Sequence, residues 1–221
     1  MFDELVKIEP KHKWSKSFLQ FNRTWNRSLG LIETWLRINE TKAIKIRHES
    51  DLIRSSVVLS VAAMDTYFTA RFTELIVPYL KTHEPHDDLI RILEESGFNI
   101  RKSLVMISMT RPYRRIRALV QNHVERITTQ RFDAVDDLFV CLGFKNMCQN
   151  AQGLLGRSRI KRSVEILVER RHQIVHDGDI NRHDRLRPIG TVTTLKRLKD
   201  LNLFVGACDI LTRKCSRKWA K

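Results

Sequence analysis

The stretch Val57-Val-Leu-Ser-Val-Ala-Ala-Met-Asp65-Thr-Tyr-Phe68 constrains the fold more than any other part of the chain. As a helix it is apolar on nearly every side, and such a helix is stable only when other elements surround it. It lies inside a helical run from about Ser50 to Leu80, with Ser50 as N-cap, Asp51 as first-turn acid and Pro78 bending or ending the helix. One long helix at the centre of a bundle is therefore expected. Asp65 adds a second constraint. A buried, unpaired carboxylate is expensive, so it needs a cationic or hydrogen-bonding partner.

The flanking segments read as the surrounding helices. In residues 13–38, Trp14, Phe18, Phe21, Trp25, Leu29, Ile32, Trp35 and Leu36 recur at three- and four-residue steps. That spacing by itself explains the three tryptophans as core or dimer packing, without a base-stacking role. A polar turn, His83 to Asp88, opens a helix over 87–96 that Gly97 ends. Residues 101–128 read as helix interrupted by Pro112, with Arg111, Arg114, Arg115 and Arg117 on the surface. A further apolar helix covers 131–149, and Gly153, Gly156 and Ser158 mark a loop before a helix over 159–176. The last helix spans roughly 190–216. Eight glycines and five prolines in 221 residues are too few for a turn-rich β protein. The reading is all-α: a helical extension over 1–44 packed on a helical domain over 45–221.

The formal net charge of +15 favours an anionic partner. The charge is concentrated. Residues 157–221 hold 17 Lys/Arg against 7 Asp/Glu, and Arg101 to Arg131 hold eight against Glu125 alone. Cys141, Cys148, Cys208 and Cys215 form two pairs spaced by seven, which suits helix faces and reduced core thiols rather than a metal knuckle. Met1-Phe2-Asp3-Glu4 is acidic and no apolar signal region follows it. No window is long and apolar enough to span a membrane. A cytoplasmic protein without a membrane partner is expected.

The densest chemistry lies in Glu169-Arg-Arg171-His172-Gln-Ile-Val-His176-Asp177-Gly-Asp179. Glu165, Glu169, His172 and His176 share one helix stripe, while Val164, Leu167, Val168, Arg171, Ile174 and Val175 share another. Glu169 is placed to fix the tautomer of His172, leaving His176 to exchange protons near neutral pH. Asp177-Gly178-Asp179 then stops the helix. Arg171 stands some 140° from His176 at about 100° per residue. It either pairs with Asp65 or reaches into a cleft shared with a second subunit. A zinc site built on His172 and His176, with His183 or Asp179, is the rival chemistry, but Gln173 stands where the zinc-protease pattern has glutamate. No metal and no cofactor are expected. On periodicity alone there is a plainer alternative: surface histidines stabilised by the dipole of a helix C-terminus.

Two blocks carry a resemblance. Arg171-His172-x-x-x-His176 resembles the R-x4-6-H signature of HEPN domains, and Arg170 to Asp179 looks like the "RRN-x-IVH-x-x-D" block of the RiboL-PSP-HEPN branch. Val57 to Tyr67 is similar to that branch's first core helix. The likeness covers roughly residues 45–215; His172 stands where asparagine is commonest. It implies a four- to five-helix bundle that dimerises so that two motif helices line one cleft. It also implies a metal-independent endoribonuclease in which His176 acts as base, Arg171 neutralises the phosphorane and His172 orients or donates a proton. Asp65, Glu169, Asp177 and Asp179 would support the site, and Lys161, Arg162, Arg182, Arg185 and Arg187 would track the RNA backbone. Resemblance further suggests a toxin or anti-phage effector with a neutralising or regulatory protein partner. The alternative is a non-catalytic HEPN-like module that binds RNA or a nucleotide.

Overall fold

The computed structural model describes residues 13–41 and 49–219. The acidic start of the chain and the expected boundary at 44–45 lie outside the described residues. Those residues form nine α-helices and no named strand: α1 (Lys16–Thr41), α2 (Asp51–Leu80), α3 (Asp87–Glu95), α4 (Ile100–Ile107), α5 (Pro112–Val124), α6 (Phe132–Val140), α7 (Met147–Leu155), α8 (Ile160–His176) and α9 (Thr191–Trp219). An isolated antiparallel bridge joins Ile180 to Leu186. The fold is all-α, as the periodicity requires.

Helix α2 is the axis. Its Val57, Val61, Met64, Phe68 and Phe72 are fully buried, and α1, α5, α8 and α9 pack around it. Helix α1 packs on the bundle and shares its core, for Phe18, Phe21, Trp25 and Ile32 belong to the same buried cluster. Trp25 Nε1 also donates to the Leu198 carbonyl of α9 at 3.1 Å, and Trp14 stacks on Phe18 of its own chain at 4.3 Å between ring centres.

A buried polar network ties the start of α1 to the bundle. Asp209 of α9 is wholly buried. It accepts hydrogen bonds from the Ser15 amide at 3.0 Å, from Ser15 Oγ, and from the Tyr67 hydroxyl at 3.3 Å. Arg71 Nε, also buried, stands 3.7 Å from the same carboxylate and donates to Thr212 Oγ1 at 3.0 Å. Burial, then the Asp209 charge, push the Tyr67 hydroxyl well above its ordinary range.

The structure corrects three local expectations. Ser50 is helical (φ −65°, ψ −10°) and its side chain does not cap α2; its Oγ accepts from Arg54 Nη1 at 2.6 Å instead. Pro78 stands in the last turn of α2, which ends at Leu80. The expected 131–149 helix is two helices, α6 and α7, separated by a turn that puts Gly143 at φ 80° and Asn146 at φ 51°. Apolar periodicity does not reveal this turn because both halves face the core: Val135, Leu138 and Phe139 on one side, Met147, Cys148 and Ala151 on the other. Gly153 accordingly lies inside α7, and Gly156, left-handed at φ 63°, ends it. Pro112 does divide 101–128, at the first position of α5, where its missing N–H costs nothing.

All four cysteines are free; Cys141, Cys148 and Cys208 are buried and Cys215 is half-buried. Burial, aided by Asp88, pushes the Cys141 thiol up to about 11, and burial raises Cys148 and Cys208 as well. Brief treatment with iodoacetamide at pH 8 should therefore modify Cys215 in the folded protein and the other three only after unfolding, as read by mass spectrometry of digests. Asp209→Ala leaves the Arg71 guanidinium buried without its buried carboxylate. Urea denaturation should show a loss of about 3–5 kcal/mol.

Candidate active site at the end of α8

Helix α8 buries Val164, Leu167 and Val168 against the bundle and turns the opposite face to solvent. His172 and His176 are both exposed on that face, one turn apart, with ring centres 5.6 Å from each other and planes 18° apart. The structure thus brings together the two residues expected to move protons. The helix ends where the Asp177 and Asp179 amides both donate to the Gln173 carbonyl, at 3.1 and 3.0 Å. Gly178 and Asp179 then both take φ 60°, a left-handed conformation that glycine adopts freely and aspartate tolerates better than most residues.

Asp179 holds the following strap in place. Fully buried, it accepts from Arg54 Nε of α2 at 2.5 Å and from Arg170 Nη2 of α8 at 2.7 Å. The same arginines reach past it: Arg54 Nη2 donates to the Arg187 carbonyl at 2.7 Å, and Arg170 Nη2 to the Arg187 and Pro188 carbonyls at 3.2 Å. The Arg187 amide closes the loop on the Asp179 carbonyl at 2.8 Å. Burial pulls the Arg170 guanidinium below its usual value, with Asp179 opposing and Arg54, Arg187 and Arg197 adding to the effect.

Between its anchored ends the strap forms a knuckle. The Ile180–Leu186 bridge narrows it, and Asn181 Oδ1 accepts from the His183 and Arg185 amides at 2.9 and 3.2 Å. Arg182 and Arg185 are exposed there. Arg187 serves the anchor through its backbone and stands 3.8 Å from the exposed Asp177 carboxylate.

Other expected residues land differently. Asp65 does not pair with Arg171. Its carboxylate caps the chain entering α6, accepting from the Thr129 amide at 2.7 Å, Thr129 Oγ1 at 2.6 Å and Gln130 Nε2 at 3.1 Å. The hydrogen-bonding alternative satisfies it, and no cation is needed. Glu169 accepts from Arg162 Nη1 at 3.1 Å, with Glu165 3.5 Å from the same nitrogen, so Arg162 is engaged along its own helix and Glu169 is not devoted to His172. Arg171 is half-buried, and its Nε is buried without a hydrogen-bond partner. Lys161 Nζ lies over the Phe132 ring, 5.4 Å from its centre.

Two grooves flank the motif. One, of about 520 Å³, runs along His172, Val168, Glu169 and Lys161 to Arg131 and Phe132 at the head of α6. The other, of about 590 Å³ and largely apolar, lies between Leu31, Val58, Leu59 and Ala62 on one side and Ile174 and Gly178 on the other. Among the described residues no group of three or more His, Cys, Asp or Glu side chains is placed to hold a metal ion, and no helix is long and apolar enough to cross a membrane.

Sequence reasoning missed Arg54 and Arg170. Arg54 carried the same signal as Asp65, a charge set in an otherwise buried helix, and the same demand for a partner. No family model, curated protein or solved structure matches the chain.

Asp179→Ala strands two guanidiniums, Arg54 at 7% and Arg170 at 16% side-chain exposure, and should cost about 3–5 kcal/mol. Amide exchange should quicken across residues 178–190. Glu169→Ala, on an exposed face, should change stability by less than about 0.5 kcal/mol.

Proposed function

We propose that the protein is a metal-independent endoribonuclease that works as a homodimer. The observation that carries this reading is the exposed, stacked His172–His176 pair at a rigidly anchored helix end, one residue from an arginine whose Nε has no partner. Neighbouring imidazoles near neutral pH can take up and return a proton. His176 removes the proton of an RNA 2′-hydroxyl, which attacks the adjacent phosphorus. The P–O5′ bond breaks, His172 supplies the proton to the leaving oxygen, and Arg171 neutralises the charge on the phosphorane. The products are a 2′,3′-cyclic phosphate and a 5′-hydroxyl, and DNA is no substrate because it lacks the nucleophile.

The homodimer follows from where Arg171 stands. It lies on the stripe that continues into Ile174 and Val175, the latter 46% exposed, beside the apolar groove that leaves Ala62 of α2 open. Pairing two copies across this face covers the groove and sets two α8 ends side by side. Arg182 and Arg185 on the knuckle hold RNA beside the histidines, while the groove along Lys161 and Arg131 also carries Asp133, Glu165 and Glu169 and has no cationic excess. A nuclease of this kind requires restraint, which fits a toxin or anti-phage effector held by a neutralising or regulatory partner.

Incubation with RNA in EDTA tests the reading. Wild type should cut, leaving cyclic-phosphate ends, while His176→Ala and Arg171→Ala lose about 10²- to 10⁴-fold in rate. All three should retain salt-sensitive RNA binding. Binding by all three with cleavage by none would identify the non-catalytic module instead.

A further inference from the structure

A basic pocket lies behind the strap, where α8, the 188–190 turn and the start of α9 meet over the side of α2. It measures about 250 Å³, below the usual size for a whole drug-sized ligand. Its floor is apolar, formed by Val57, Leu167 and Ile189; its walls carry Arg170, Arg197, Thr193 and Thr194.

The charges here do not balance. Arg170 stands close enough to Arg54, Arg187 and Arg197 to feel the charge of each, with the buried Asp179 carboxylate opposing them. Asp51 pairs with Arg54 at 3.3 Å and Asp177 with Arg187 at 3.8 Å. Asp179 is shared by Arg54 and Arg170. Arg197 has no hydrogen-bond or ion-pair partner among the described residues, although it is half-buried against its neighbours. Arg170 spends Nη2 on Asp179 and two carbonyls and one Nη1 hydrogen on Gln173, which leaves Nε–H and a second Nη1 hydrogen unspent. Hydroxyls of Thr193 and Thr194 add two more donors on the same wall.

We propose that this pocket binds a phosphate monoester, held between Arg170 and Arg197 and hydrogen-bonded by the threonine hydroxyls. A dianion with three terminal oxygens matches this donor set and supplies the missing negative charge, and forked guanidinium contacts to phosphate are among the strongest hydrogen bonds available. The apolar floor accepts the ester carbon, and the pocket leaves the remainder of the ligand outside. The occupant bridges α8 to α9 through the arginine that also grips the strap after His176. The terminal phosphate comes either from a free mononucleotide or from the 5′ end of an RNA.

Binding assays on the full chain separate these sources and do not depend on cleavage. The probes are AMP, adenosine, and a 2′-O-methyl oligomer bearing either a 5′-phosphate or a 5′-hydroxyl, which the proposed reaction cannot cut. AMP should raise the melting temperature where adenosine does not, or the 5′-phosphorylated oligomer should bind at least about tenfold more tightly than its 5′-hydroxyl twin. The first result assigns the pocket to free mononucleotides, the second to RNA ends. Arg197→Gln should abolish the preference and Lys145→Gln, on the exposed turn between α6 and α7 and outside the pocket, should keep it. Equal behaviour of phosphorylated and unphosphorylated probes, or a preference that survives Arg197→Gln, would overturn the proposal. Neither result would touch the ribonuclease reading, which rests on His172, His176 and Arg171.

Discussion

The burial of Asp179 between two arginines is the interaction on which the candidate site at the end of α8 depends. A carboxylate without solvent is tolerable only with charge and hydrogen bonds supplied by neighbours, and here one guanidinium comes from the central helix and the other from the motif helix. Because both arginines also hold the carbonyls of residues 187 and 188, a single acid fixes where α8 ends, how the strap returns and where α9 begins. A buried pair of this kind adds little net stability over apolar packing. What it contributes is position: the arrangement persists only with every partner in place.

That rigidity matters because the histidine pair is exposed. Among the described residues His172 and His176 stay exposed, so their geometry is set from below, by the burial of Val164, Leu167 and Val168 and by the anchored helix end. The motif arginine belongs to a different stripe. Within one chain the helix presents the histidines and the arginine to different surroundings, and Ile174, one turn beyond Arg171, lines the apolar groove that the proposed homodimer covers.

The charged residues divide into those consumed by the fold and those left over. Arg54 and Arg71 are spent on buried acids, Arg170 in part, and Arg162 on its own helix face. Arg182, Arg185 and Lys161 remain outward, and Arg197 faces a pocket with no acid in it. The surplus evident in the net charge of +15 is therefore uneven: the knuckle, the pocket under α9 and the segment from Arg101 to Arg131 are basic, whereas the groove beside His172 sets Asp133, Glu165 and Glu169 against Arg131 and Lys161.

Local periodicity was enough to determine the helices, the central place of α2 and the shared face of His172 and His176, because these depend on residues within one or two turns. It also identified Asp65 as an acid that needed a partner, and Asp177-Gly178-Asp179 as the turn that stops α8. It misjudged the 131–149 segment, where two core-facing helices keep the apolar rhythm across a turn. Only the tertiary structure decided the partners. Asp65 meets a backbone amide and two side chains more than sixty residues away, and Asp179 meets an arginine 125 residues away. An acid in a helix announces that it needs a donor. Which donor answers is set by how the helices pack, and that information is spread over the whole core rather than written beside the residue.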